Sequence, residues 1–346
     1  MKILVISTNA WAIPLKGYGG LEMIAYWQAK ELAALGHDVT LQCPAGSTMP
    51  AGVRHLEVEP GISEHESMNR LKDRWVEFGR DGVIIDNSWQ KWSYMVKKAN
   101  VASLPTFRVI GVCHTTIESD LTSPPPVPYP CLVGISKDHA ASISRHLGVT
   151  ARVAFNGVDV DFYSPKKMPR SDRYAFINRI SKLKGPHVAI QMAKTCGLNL
   201  DLGGDTKFTG ETEYTHRVLS QCDPVQIQWH GELTREKTVE WYSSHYALLN
   251  TIQWREPFGM VPVEAMACGA PVVTFDLGSM RDIIWHGVTG FVCRDEAEMI
   301  QVLRADAVSD LDREDCRGWV EWQFSSKRMG RRYEKLCGDL MDGREW

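Results

Sequence analysis

Glu256-Pro-Phe-Gly-Met-Val-Pro-Val-Glu264, continued by Ala-Met-Ala-Cys-Gly-Ala-Pro-Val-Val273, reads as a short loop, an apolar helix and, from Pro271, a buried strand. Val263, Ala265, Met266 and Ala267 give that helix an apolar face, as expected of an element packed between sheet and core. Two carboxylates bracket the opening. Glu256 precedes the loop, and Glu264 is placed in the first helical turn, so both are expected to face one cleft at the positive end of the helix.

Outward from this stretch, short β-branched runs alternate with helical spacing. Ile3–Ser7, Val39–Cys43, Gly82–Asp86, Arg108–Cys113 and Cys131–Ile135 are predicted as buried strands, with helices over Leu21–Leu35 and His139–Leu147. A second series begins near Arg173, with strands at Tyr174–Ile177, Leu198–Gly203, Val225–His230, Ala247–Leu249, Pro271–Phe275 and Gly290–Val292, and helices such as His187–Thr195 and Arg235–Ser244. Two successive α/β series predict two doubly wound, Rossmann-like halves. The polar, proline-broken stretch 162–172 reads as the hinge, dividing the chain into 1–165 and 166–319. The helix-prone, Arg- and Lys-rich segment at about 320–346 is expected to pack back on the first domain.

Bulk properties narrow the function. At 346 residues, the chain exceeds what one hydrophobic core usually supports, which favours two domains. A formal net charge of -3 supplies no basic field, so nucleic acid is not an expected partner. Nine cysteines stand singly, without a Cys-x-x-Cys pair, and no signal-peptide pattern precedes Lys2–Ser7; a reducing cytoplasm is the expected compartment. No apolar run approaches the roughly 20 residues of a spanning helix. Two basic runs, Lys166, Lys167, Arg170 and Arg173 near the hinge and Lys327, Arg328, Arg331 and Arg332 near the end, leave room for peripheral contact with a membrane.

Three further motifs carry chemistry. Gly17-Tyr-Gly-Gly20 follows the opening strand and precedes a helix, where Gly17, Gly19 and Gly20 let backbone approach a ligand and the amides of Leu21–Met23 can meet phosphate oxygens. Its spacing is not that of a dinucleotide fingerprint, which argues against a nicotinamide oxidoreductase. Asn178-Arg-Ile-Ser-Lys-Leu-Lys-Gly185 opens from a strand end at an expected crevice. There Arg179 forks onto a diphosphate and Lys184 adds a point charge, whereas Lys182 reads as a solvated surface base. At the carboxylate segment, the Phe258, Gly259 and Met260 amides are free for sugar hydroxyls, Glu264 suits a ribose diol, and Trp254 is placed to shape the pocket. Helix-dipole complementation is the plain alternative for Glu264.

Together these residues resemble the retaining glycosyltransferases of family 4, which have the GT-B fold. The resemblance runs through Gly17-Tyr-Gly-Gly20 with Glu22, Gly36-His-Asp-Val-Thr40, His114-Thr115, Ile135-Ser136, Asn156-Gly-Val-Asp159, Arg179 with Lys184-Gly185, Gly203-Gly204, His230-Gly231, the paired glutamates and Gly287-Val-Thr-Gly-Phe291. It implies an α/β protein of two facing Rossmann-like domains with an interdomain cleft, the first on the acceptor side and the second binding the donor. It also implies transfer of a sugar, with retention, from a nucleoside diphosphate sugar to a hydroxyl acceptor. A UDP-sugar is the favoured donor and GDP-mannose the second.

By the same resemblance, Arg179 and Lys184 hold the diphosphate with Gly19, Gly20 and Gly204 nearby. Glu264 takes the ribose, Glu256 and the Phe258–Met260 amides take the sugar, and His114 positions the sugar from the first domain. No metal or other cofactor is implied, since in that family Arg, Lys and helix amides meet the diphosphate charge. Asn178 stands where a glycine commonly precedes the arginine, and Gly278-Ser-Met-Arg-Asp282 departs from the usual Gly-Gly segment. A nucleotide-sugar epimerase of similar architecture and a binding-only member are the alternatives. Trp89, Trp92 and Tyr94 are candidates for stacking on an acceptor, with core packing as the alternative. The stiff Pro124–Pro130 connector has no assigned role.

Overall fold

The computed structural model describes residues 1–15, 20–88, 108–116, 131–206 and 210–346. Gly17, Gly19, the Trp89, Trp92 and Tyr94 cluster and the Pro124–Pro130 connector lie outside the described residues. The chain divides into two compact units. One contains Met1–Leu15, the described part of 20–157, and Ser326–Trp346; the other is Val158–Ser325.

The first unit is built on seven parallel strands: β1 (Lys2–Ile6), β2 (Asp38–Pro44), β3 (Val53–Val58), β4 (Val83–Asp86), β5 (Val109–Cys113), β6 (Cys131–Gly134) and β7 (Ala151–Val153), in the order β3-β2-β1-β4-β5-β6-β7. Ile3 to Ile6 of β1 are all fully buried, as a central parallel strand covered on both faces requires. Helices α1 (Gly20–Ala34), α2 (Glu64–Asp81) and α3 (Lys137–Leu147) connect the strands. Ser63 and Ser136 cap α2 and α3 by accepting from the amides of Glu66 and His139, which satisfies amides that the first helical turn leaves open.

Three elements of this unit escape the sequence reading: β3, α2 and the short, partly exposed edge strand β7. β3 is an edge strand whose middle residues, Arg54, His55 and Glu57, are polar, so it lacks the apolar run of its neighbours. α2 is strongly charged, with its apolar positions Met68, Leu71, Trp75 and Phe78 spaced along one helical stripe between the charges.

The second unit repeats the topology with six parallel strands: β8 (Tyr174–Ile177), β9 (Leu200–Gly203), β10 (Ile227–Trp229), β11 (Leu248–Asn250), β12 (Val272–Phe275) and β13 (Gly290–Cys293), in the order β10-β9-β8-β11-β12-β13. Around it lie α4 (Pro186–Cys196), α5 (Thr212–Leu219), α6 (Arg235–Ser244), α7 (Met260–Ala267), α8 (Met280–Ile283), α9 (Glu296–Arg304) and α10 (Arg313–Gln323). Strand order reverses direction between β8 and β11, and ligands of open α/β sheets bind beyond the carboxyl ends of strands at such a switch point. The loops after β8 and β11 are the two that carry Arg179, Lys184 and Glu256.

The division between units falls at 157/158, eight residues before the 165/166 boundary read from the sequence. Long-range pairing is the reason. The Val158 amide donates to the Phe324 carbonyl at 2.8 Å, and the Arg317 guanidinium donates to the carbonyls of Val160 and Tyr163, so these residues are tied to the second unit before the prolines. The last helix, α11 (Ser326–Met341), packs on α1 in the first unit. Gly330 makes this close approach possible, because a Cβ there would lie 2.5 Å from that of Glu31.

Candidate active site

In the second unit, the sheet ends bring Lys184, Trp254 and Glu256 together. Residues Lys182–Lys184 form one 3-10 turn, closed by Gly185 at φ 68°, before α4 starts on Pro186. The loop after β11 is stitched to this turn. Gln253 N donates to Leu183 O at 2.8 Å and Thr251 Oγ1 donates to Gly185 O at 2.8 Å. A Cβ on Gly185 would sit 2.0 Å from Thr251 O, so only glycine allows the approach. Lys184 therefore points from a fixed support. Its Nζ donates to Glu256 Oε2 at 2.5 Å, and Trp254 Nε1 donates to the same oxygen at 2.8 Å. The ammonium also lies 5.0 Å from the indole centroid of Trp254, within cation–π range.

Glu256 is buried, with 9% of its surface exposed, so an unpartnered charge there would be costly. Its backbone is held by a parallel bridge to Gly278, with Ser279 N donating to Glu256 O at 2.9 Å. Gly278 is another close approach, since its Cβ would meet Glu256 O at 2.4 Å. Gly-Ser at 278–279 thus has a structural reason. Ser279 Oγ then donates to Phe258 O at 2.7 Å and pins the Pro257-Phe258-Gly259 loop, while the Phe258 ring packs edge-on against Phe324.

Glu264 corrects one expectation. Gly259, at φ 89°, caps α7, and the helix starts at Met260, so Glu264 is its fifth residue and lies in the second turn. It does not complement the helix's positive end. Burial pushes its carboxyl above the usual carboxylate range, and the Arg235 guanidinium and the hydroxyls of Tyr163 and Tyr242 pull only partly the other way. The Tyr242 hydroxyl is itself buried beside this carboxyl. Burial, with the Glu264 charge, also drives both tyrosines well above their ordinary values. The cluster offers an acid or carboxylate flanked by hydroxyls, a group suited to a vicinal diol.

Arg179 is partly buried on the loop after β8. Gly204 sits beside that strand end with φ 152°, and a Cβ would meet Asn178 O at 1.7 Å, so the glycine is required for the loop's path. Met260 and Gly259 are partly buried at the start of α7. Among the described residues, no group of three or more His, Cys, Asp or Glu side chains is placed to hold a metal ion.

The first unit has its own polar cluster at the strand ends. Asn87, after β4, donates through Nδ2 to Ile6 O at 3.1 Å and to Gln28 Oε1 at 2.8 Å. A carbonyl can only accept, so the amide orientation is determined, and Asn87 Oδ1 is left to accept from His114 Nε2 at 2.9 Å. His114 therefore carries a proton on Nε2. Burial, aided by nearby His139, pushes it down to about 3. Gly20 is the first residue of α1, and Glu22 behind it is buried, accepting from Thr8 Oγ1 at 2.7 Å.

Several functional neighbours are not visible in the local sequence. Arg235 and Tyr242, both on α6, and Tyr163 reach Glu264 from two separate segments, and Asn87 reaches His114 across 27 residues. The basic runs also resolve unevenly. Arg173 is structural, donating to Asp201 and to the carbonyls of Leu200, Val225 and Gln226. Arg332 lies over the Phe155 ring, whereas Lys327, Arg328 and Arg331 are exposed.

Comparison with known proteins bears on the fold. Residues 161–316 match the family model of glycosyl transferases group 1. D-inositol 3-phosphate glycosyltransferase of Pseudarthrobacter chlorophenolicus is 26% identical over 52% of this chain and 49% of its own length. The chain spans about half the length of the first curated relatives it matches. Among solved structures, AviGT4, a glycosyltransferase involved in avilamycin A biosynthesis, superposes with a TM-score of 0.75 at 22% identity, covering 100% of this chain and 99% of that one. Anabaena HepE in complex with UDP and glucose gives a TM-score of 0.74 at 18% identity, covering 98% and 100%. The chain thus has the GT-B fold of glycosyltransferases, and its second unit carries the match to the group 1 family.

Proposed function

We propose that the protein is a retaining glycosyltransferase that moves a sugar from a nucleoside diphosphate sugar to a hydroxyl acceptor without a metal ion. The observation that carries this reading is the Lys184–Trp254–Glu256 cluster at the switch point of the second sheet, inside the segment that matches group 1 glycosyl transferases. Arg179 and Lys184 supply positive charge for a diphosphate leaving group, the largest catalytic term in such a site. Glu256 and the loop ending at Met260 receive the sugar's hydroxyls, and Glu264 receives the ribose. The bond from the acceptor oxygen to the anomeric carbon forms on the face from which the diphosphate departs. The diphosphate keeps the electron pair of the broken bond and takes the acceptor's proton.

His114 positions the sugar in this proposal, and its neutral form argues against a role as acid. A UDP-sugar is the favoured donor because HepE was solved with UDP and with UDP-glucose, with GDP-mannose second. Cytoplasmic placement, with peripheral contact to a membrane through exposed bases such as Lys327, Arg328 and Arg331, belongs to the same proposal.

The test is a panel of UDP-, GDP- and ADP-sugars with chelator present, reading binding by calorimetry and slow release of nucleoside diphosphate. Saturable binding lost in Arg179→Ala and Glu264→Ala is the expected result. His114→Ala should lower turnover more than nucleotide binding. Absence of binding across the panel would overturn the proposal, and epimerised sugar in the product would replace it with an isomerase.

A further inference from the structure

Glu256 Oε2 receives two donors, Lys184 Nζ at 2.5 Å and Trp254 Nε1 at 2.8 Å, while Oε1 takes no donor among the described residues. This asymmetry matters when an anion arrives. An anionic ligand that attracts Lys184 withdraws the cation paired, among the described residues, with Glu256, a residue only 9% exposed. A buried carboxylate deprived of its partner is strongly destabilised, and the loss would oppose ligand binding. An indole N–H does not titrate at ordinary pH and is only a donor, so it stays on Oε2 when the ammonium turns away. The indole face beside Lys184 offers the cation a second favourable surface during that movement.

The support beneath these groups is rigid: the turn carrying Lys184 and the loop leading to Trp254 are joined by two hydrogen bonds, and the Glu256 backbone is bridged to Gly278. We propose that Trp254 is a positioning residue that holds Glu256 by Oε2, so that Lys184 can engage a diphosphate while Oε1 remains an acceptor for a hydroxyl of the donor sugar. This role rests on the transferase reading above and assigns Trp254 a task distinct from packing. Trp254 acts through Glu256 and Lys184, and its indole need not touch the ligand.

The experiment uses the full chain with whichever of UDP-, GDP- and ADP-glucose the wild type cleaves. Trp254→Phe keeps the ring and removes the N–H. It should leave affinity for the matching nucleoside diphosphate within about threefold and lower kcat for donor cleavage roughly tenfold to a hundredfold, the scale of a misplaced catalytic contact. Trp254→His, which restores a ring N–H, should recover part of that loss. In spectra of ¹⁵N-labelled protein, the indole N–H that disappears in Trp254→Phe should stay protected from solvent exchange when the nucleoside diphosphate is added.

Wild-type kcat in Trp254→Phe would overturn the role alone. Equal loss of affinity and turnover would reduce Trp254 to a structural residue, and exchange of its N–H on adding nucleoside diphosphate would show that the bond to Glu256 is not kept. A wild type that binds none of the panel would instead bring down the transferase reading, and the role with it.

Discussion

At the scale of single residues, the site uses burial to select protonation states. Glu264 has a folded value raised above the ordinary 4.5 by burial. Below that ordinary value, both folded and unfolded chains hold the proton, and the group has no effect on stability. As pH rises past 4.5, the unfolded chain ionises first, so stability falls until the folded carboxyl also ionises. Glu264→Gln is expected to flatten this decline and to raise Tm at pH 7 by a few degrees at most, while weakening nucleotide-sugar binding. Thermal melts from pH 4 to 8 beside calorimetry will check both effects.

His114 behaves in the opposite sense. Its folded value of about 3 lies far below 6.5, so the folded chain stays neutral where the unfolded chain takes a proton. Stability is therefore full above 6.5 and is lost as pH falls from there towards about 3. ¹⁵N spectra of the histidine ring should report an Nε2-protonated neutral tautomer throughout pH 5 to 8. A titration in that window would refute the Asn87 arrangement. His114→Asn should reduce the acid-side slope in part, because His139 on α3 is also pushed down by burial.

At the scale of elements, glycines decide where loops meet strands. Gly185 and Gly148 have nearly the same φ, 68° and 67°, but different surroundings. An added Cβ on Gly185 meets Thr251 O at 2.0 Å, whereas Gly148, at the end of α3, has nothing within 4 Å. Gly148→Ala should cost about 1 kcal/mol, the strain of a left-handed alanine. Gly185→Ala should cost roughly 3 kcal/mol or more, by adding a backbone clash to the same strain. Urea unfolding compares the two, and donor cleavage should fall only in Gly185→Ala, whose turn carries Lys184. The start of α7 makes a similar point. Reading Glu264 into the first turn assumed a helix beginning further along, but Gly259 caps it at once and moves the glutamate off the dipole's end.

At the scale of the whole molecule, the chain's last segment returns to the first unit. Ser326 Oγ donates to the buried Glu31 at 2.7 Å, Arg152 pairs with Asp339 at 2.6 Å and lies over the Trp346 ring, and Trp346 Nε1 donates to Leu132 O at 2.8 Å. Gly330→Val should push α11 away from α1 and cost roughly 2–4 kcal/mol, the range of overpacked or cavity-forming core changes. Removing 326–346 should expose the buried face of α1. Limited proteolysis of both variants should then cut the first unit faster than the second. Equal protection of the two units would contradict that dependence.

The two α/β series are legible in the residues alone, because parallel strands buried on both faces must be continuous apolar runs, and β1, β8 and β12 are such runs. The glycines and charged residues at the strand ends are legible too, since those residue types are needed wherever backbone approaches closely or an anion is met. Edge strands β3 and β7 left no such imprint, because their burial is partial. Which side chains share a contact is set by long-range packing: Trp254 and Lys184 divide one oxygen of Glu256, Tyr163, Tyr242 and Arg235 surround Glu264, and Asn87 sets the proton on His114. Such contacts depend on sheet order and on the heights at which distant loops leave their strands. These are properties of packing among segments far apart in the chain, so no local pattern of residues encodes them.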